Sequence, residues 1–380
     1  MNVDLSRFNV LIGANGSGKS NILEAIAIAA AASSNKLDYE YFANRGIRVT
    51  DERLMTSAFD DVDEKDISVI VTNTEGEVYT GDLHYNPKAK PPMWENKALN
   101  LVPFLSLLQS KAKSEYKYNG SVRLSTMIDT LSDIQKNQDE DVPVNIKTSN
   151  EGEKINYSQS VPELNRFIIY SLEESKLRQA DSDNRTFPLG KNGEGLFAYL
   201  RDMSKREEGA RMIAEIKENL RIFDWFEDIY IPQNQLSSEY KINISDSYLS
   251  GTLNIFDQRS ANEGFLYLLF YLTLIISDET PAFFAVENID TGFNPKLCRE
   301  VISHLAELAK KHKKQIVATT HNPCVLDGLN LTDEAQKLIV VRRNIDGYTI
   351  SNEVKPKSAL SIPLSEAWQR GYIGGLPDNF

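Results

Sequence analysis

Gly13-Ala14-Asn15-Gly16-Ser17-Gly18-Lys19-Ser20 stands between the apolar run Phe8-Asn9-Val10-Leu11-Ile12 and a stretch from Asn21 that carries Ile22, Leu23, Ile26 and Ala29 at helical spacing. The octapeptide satisfies GxxxxGK[ST] at every fixed position. It also joins a strand to a helix, the setting in which that pattern marks a phosphate-binding loop. Several glycines are needed because only they let successive backbone N–H groups turn inward and approach a polyphosphate closely. Lys19 is placed to reach the β- and γ-phosphates, and the Ser20 hydroxyl to join the shell of Mg²⁺. Gly13, Asn15, Gly16, Ser17, Gly18, Lys19, Ser20 and Asn21 are therefore the expected phosphate contacts, and a nucleoside triphosphate is the expected ligand.

The 380 residues, 41% of them hydrophobic, suffice for one large domain or two moderate ones with a sizeable core. A formal net charge of -12 argues against binding nucleic acid by bulk electrostatics and leaves only a local basic groove for such a partner. Cys298 and Cys324 are the only cysteines, too few for a disulfide framework or a cysteine-based zinc site, so a reducing cytoplasm is expected. The N-terminus lacks the charged, apolar and small-residue segments of a secretory signal. The most apolar window, residues 264–277, is too short to span a bilayer and reads as a buried helix, so no membrane partner is expected.

Along the chain, Ile67-Ser68-Val69-Ile70-Val71 and the run from Glu77 to Leu83 flank a turn-rich interval and predict a β-hairpin. Residues 87–160 read as an insertion with an exposed Pro- and Lys-rich loop at 85–98 and a helix at 125–138. Leu164, Phe167, Ile168 and Leu172 have helical spacing, as do Met212, Ile213, Ile216 and Leu220; Leu196-Phe197-Ala198-Tyr199-Leu200 opens a further helix after the loop at 188–195. The whole of 87–232 is thus expected to form an inserted, mainly helical lobe, leaving 1–86 and 233–380 as an α/β core. No repeat of 20 to 50 residues and no sustained heptad run is present.

The second half of the nucleotide site lies far downstream. Phe283-Phe284-Ala285-Val286-Glu287-Asn288 is an apolar strand ending in an acid, the layout of a Walker B motif. Ile289-Asp290-Thr291-Gly292-Phe293-Asn294-Pro295 follows, with Asn294 suited to cap a helix and Pro295 to its first turn. Gln315-Ile316-Val317-Ala318-Thr319-Thr320 is then another strand, with His321 at its carboxyl end. Ligands collect at the carboxyl ends of parallel strands, so Glu287, Asp290 and His321 are expected to face the nucleotide at Lys19, with Glu287 and Ser20 as the metal-holding pair.

This order of motifs resembles ATP-binding-cassette-like ATPases of the SMC and OLD (overcoming lysogenization defect) type, and most nearly the bacterial AAA_21-like ATPases, many of which occur in phage-defence systems. The specific likeness covers residues 8–32 and about 258–345. It implies a P-loop NTPase sheet flanked by helices, ATP and Mg²⁺ as ligands, and two subunits that close head to tail around two ATP molecules. In that arrangement Ser260-Ala261-Asn262-Glu263-Gly264 is the best match to the signature motif that contacts the γ-phosphate held by the opposite subunit. Ser260, Asn262 and Gly264 are its candidate contacts, with Asp290 in the loop that reads the dimer interface and His321 as the switch histidine. The family pattern is Asp then Glu at the Walker B end, whereas this chain has Glu287 then Asn288. Asn288 cannot accept a proton, and loss of a general base costs about 10²- to 10⁴-fold in rate. Slow hydrolysis is therefore expected.

The 59 residues after His321 leave no room for the TOPRIM nuclease domain of the OLD proteins, so any cutting activity is expected in a partner effector, a nuclease or a toxin. Three functions compete: an ATP-driven homo-oligomeric switch that controls such an effector, a non-hydrolytic ATP-stabilised scaffold, and a DNA-binding repair ATPase.

Overall fold

The computed structural model describes residues 1–51, 55–56, 66–74, 77–89, 93–97, 156–157, 162–179, 188–232, 241–250, 254–355 and 362–376. The chain forms two compact units, one of Met1–Glu24 with Arg166–Phe380 and the other of Ala25–Asn165. Strand β1 (Phe8–Ile12) runs through the phosphate loop into helix α1 (Lys19–Ser33), whose alanine-rich sequence has the least entropy to lose in a helix.

In the second unit, α2 (Tyr39–Asn44) is capped by Asp38, which accepts from the Tyr41 N–H at 2.7 Å. The expected hairpin is present as β2 (Ile67–Thr72) and β3 (Glu77–Asn86), paired antiparallel from Ile67 opposite Leu83. β4 (Met93–Asn96) extends it antiparallel and β5 (Asn156–Tyr157) pairs parallel with β3. Tyr79, Leu83 and Trp94 are buried against this sheet, and the Asn96 amide donates to the Tyr79 hydroxyl at 3.2 Å. Helix α3 (Pro162–Asn165) closes the unit. The helix expected at 125–138 lies outside the described residues.

The first unit resumes with β6 (Ile169–Tyr170), where helical spacing had predicted a continuous helix. The alternative wins because the backbone finds a strand partner: the Ala285 N–H donates to the Ile168 carbonyl at 2.9 Å and the Glu287 N–H to the Tyr170 carbonyl at 2.8 Å. Apolar residues that suit a helix face suit a doubly covered edge strand equally well. Short helix α4 (Glu174–Leu177) follows, then α5 (Leu196–Ser204) and α6 (Glu207–Leu220). Leu196, Phe197, Leu200, Met203 and Ile216 join the main hydrophobic core, so residues 166–232 lie with the first unit. Strands β7 (Phe226–Tyr230), β8 (Asn243–Asp246) and β9 (Ile255–Asp257) make a separate antiparallel sheet.

Helix α7 (Glu263–Ile276) is buried from Gly264 to its end, as the 264–277 window predicts. Strand β10 (Phe283–Val286), helix α8 (Pro295–Lys311), β11 (Gln315–Thr319), β12 (Gln336–Arg343), β13 (Thr349–Glu353) and α9 (Leu364–Gln369) complete the unit. Asn294 caps α8 by accepting from the Leu297 N–H at 3.0 Å, and Pro295 occupies its first turn. The sheet order is β13-β12-β1-β11-β10-β6, parallel except for the β12–β13 pair. β1 and β10 are buried along their full length, as expected of parallel strands covered on both faces. No helix among the described residues is long and apolar enough to cross a membrane.

Candidate nucleotide site

The parallel sheet brings the carboxyl ends of β1, β11, β10 and β6 to one edge, and the predicted motifs emerge from three of them. Gly13, Gly16 and Gly18 have φ of 152°, 76° and 105°, a backbone that glycine alone adopts freely. A Cβ at Gly13 would lie 2.0 Å from the Val341 carbonyl oxygen, and one at Gly18 2.5 Å from Thr349 Oγ1, whereas Gly16 faces open space. The loop is therefore pressed against β12 and β13 on one side and open on the other. The Arg343 Nε–H donates to the Gly16 carbonyl at 3.0 Å and the Thr349 hydroxyl to the Ser17 carbonyl at 3.2 Å, clamping the outer rim of the turn.

Inside the cradle, the buried Lys19 ammonium donates to the carbonyls of Gly13 at 2.8 Å and Ala14 at 3.1 Å. Burial lowers its proton affinity below the usual lysine value. The Ser20 hydroxyl donates to a Glu287 carboxylate oxygen at 2.7 Å. These two oxygen donors, brought together from opposite ends of the sequence, suit a hard octahedral cation that takes its remaining ligands from phosphate and water. The Ser17 hydroxyl oxygen is buried and has no hydrogen-bond partner among the described residues.

The Walker B end is held by β11. The Asn288 N–H donates to Thr319 Oγ1 at 3.1 Å, the Ile289 N–H to the Thr319 carbonyl at 3.1 Å, and the Thr320 hydroxyl to Asp290 Oδ1 at 2.6 Å. His321 follows; burial, then the Lys19 ammonium, lower its proton affinity, and Asp290 opposes them. Asn288 adopts a left-handed φ of 50°, and its carbonyl accepts from both the N–H and the hydroxyl of Thr291.

Ser260, Asn262 and Gly264 form a second cluster, at the start of α7. Ser260 and Asn262 are exposed. Asn262 Oδ1 caps the helix by accepting from the Phe265 N–H at 2.8 Å. Gly264 is buried, and a Cβ there would stand 2.6 Å from the Gly292 carbonyl oxygen, so this glycine permits close packing on the loop after Asp290. Sequence reasoning missed what positions this segment: Arg178 Nη1 donates to the carbonyls of Gln258, Arg259 and Ala261 at 3.2, 2.9 and 2.7 Å. It also missed the Arg343 and Thr349 clamps. Arg342-Arg343 on the strand that follows the His321 segment was the available signal.

The profile of the family described as "AAA domain, putative AbiEii toxin, Type IV TA system" matches residues 8–327. The chain belongs to this AAA family. The fold is similar to the SMC head bound to the C-terminal winged-helix domain of ScpA, at 14% identity over 95% of this chain and 94% of that one, with a TM-score of 0.50. The SMC head domain from Thermotoga maritima is similar at 14% identity over 93% of each chain, TM-score 0.40. No curated protein matches. The chain thus combines an AAA-family sequence with an α/β fold, a largely parallel sheet flanked by helices, like that of the SMC head.

Proposed function

We propose that this ATPase is a nucleotide-operated switch that binds Mg²⁺ and ATP at residues 13–21 and hydrolyses the nucleotide slowly. The observation that carries the reading is the Ser20–Glu287 hydrogen bond, which joins the phosphate loop to the Walker B acid at 2.7 Å. Ser20 and Glu287 would hold Mg²⁺, which when bound neutralises phosphate charge. Lys19, now on the Gly13 and Ala14 carbonyls, is within the loop that phosphates enter and exchanges those acceptors for phosphate oxygens. His321 is neutral at pH 7 and offers a hydrogen bond at the same strand edge. Asn288 orients the attacking water without removing its proton, which makes turnover slow.

In this reading two subunits close head to tail, and the exposed Ser260 and Asn262 meet the ATP of the opposite subunit at a helix N-terminus, where N–H groups favour an anion. Closure acts on a partner effector, a nuclease or toxin, in the cytoplasm and in phage defence; this biological role rests on the family likeness alone. Sedimentation velocity with and without Mg²⁺ and ATP tests the switch. The wild type is expected to shift to a dimer with ATP and Lys19→Ala to remain unshifted; profiles that nucleotide leaves unchanged count against closure. Asn288 favours a second reading, an ATP-stabilised scaffold without turnover, in which the same shift occurs and no phosphate is released.

A further inference from the structure

Beside the outer rim of the phosphate loop lies a recess of about 870 Å³, within the size range of small-molecule sites (about 300–1,000 Å³). Asn15 and Gly16 form one wall, Arg342 and Arg343 at the end of β12 a second, and Gln369 and Arg370 at the end of α9 a third. Among the described residues no lining side chain is acidic, although the chain as a whole carries -12. The arginines are exposed rather than consumed by the core. Arg343 is fixed by its bond to the Gly16 carbonyl, and Arg370 by an ion pair with Glu366 one turn earlier.

The segment that brings Gln369 and Arg370 here is built into the fold. The Ser365 N–H and hydroxyl both donate to Asp327, at 2.9 and 2.6 Å, and Trp368 is buried in the main core. Gly375 has φ of 83°, and a Cβ there would lie 2.9 Å from Val340 Cγ1 and 3.5 Å from Gly13 Cα. The tail thus lies directly against the phosphate loop, and only glycine permits the approach.

We propose that this recess receives the nucleobase and ribose of the bound nucleoside triphosphate, so that the 364–376 segment is part of the ATP site. The inference rests on the reading of residues 13–20 as a triphosphate cradle. A ligand with its phosphates in that cradle has its remaining part beside Asn15 and Gly16, next to planar guanidinium groups. Guanidinium faces stack on aromatic rings, and the Gln369 amide offers both a donor and an acceptor to a base edge. The larger π-surface of a purine is preferred to a pyrimidine.

Calorimetric titration of the full chain with Mg²⁺ present, using ATP, CTP and inorganic tripolyphosphate, tests this. The wild type is expected to bind ATP more tightly than CTP. A Gln369→Ala/Arg370→Ala double variant is expected to lose about tenfold or more in ATP affinity, the scale of one or two lost stacking or hydrogen-bonding side chains, while holding tripolyphosphate as the wild type does. Its unfolding midpoint, measured in parallel, should match the wild type because both side chains are exposed. Unchanged ATP affinity in the double variant overturns the proposal, as does an equal loss for ATP and tripolyphosphate, which would make the recess a general anion patch. A wild type that binds neither ATP nor tripolyphosphate overturns the cradle reading itself, and the subsite with it.

Discussion

Asn288 sits at φ 50°, where asparagine is among the few side chains tolerated and a longer acidic one is strained. The residue that lacks a catalytic carboxylate is thus also the residue its backbone prefers, and the two effects separate experimentally. Asn288→Glu is expected to cost about 1 kcal/mol of stability, from left-handed strain, and to raise phosphate release by restoring a proton acceptor. Turnover unchanged or lowered in a folded Asn288→Glu protein would contradict the view that the missing base limits the rate. His321 gives a prediction of opposite character. Its folded proton affinity lies below the ordinary 6.5, so between the two values the unfolded chain binds more protons. Stability therefore rises with pH through that window and is lost as pH falls below 6.5. Thermal unfolding midpoints are expected to drop on acidification below 6.5, with a smaller drop in His321→Asn; equal slopes would contradict it.

Arg178 links elements that local sequence leaves separate. It follows the edge strand β6, whose Tyr170 carbonyl holds the Glu287 N–H, and it gathers three carbonyls of the segment that leads into α7. Arg178→Ala is expected to cost about 1–3 kcal/mol, the range for lost hydrogen bonds to a charged group. It is also expected to weaken ATP-driven pairing in sedimentation while leaving binding of a fluorescent ATP analogue intact; a loss of nucleotide binding equal to that of pairing would contradict a role confined to the signature segment. Elements with strong local signals were legible from residues alone: the phosphate loop by its glycines, α7 by unbroken apolarity, α8 by Asn294-Pro295 at its start. β6 was not, because two paired residues leave no period and its partner, β10, lies more than a hundred residues away. Arg178 and Arg343 escaped for a related reason, since a guanidinium that clamps distant carbonyls has the same sequence appearance as a solvated one.

For the whole molecule, the strand order 13-12-1-11-10-6 turns motifs spread over more than three hundred residues into one edge, and this convergence explains why Ser20 and Glu287 touch. The expected fold class is the fold observed, and the motif order had already indicated the family. The roles proposed for Ser260 and Asn262 rest on likeness, since within one subunit Asn262 serves as a helix cap. The C-terminal segment had no motif to mark it, and its place beside the loop comes from the packing of Trp368 and Gly375. In the proposed function all of these parts serve one event, the binding and slow cleavage of ATP at residues 13–20. Phosphate release with Mg²⁺ and ATP, measured for the wild type beside Lys19→Ala, tests that most directly. The wild type is expected to release phosphate slowly but measurably above the variant, and release equal to that of Lys19→Ala by a wild type that binds ATP would contradict it.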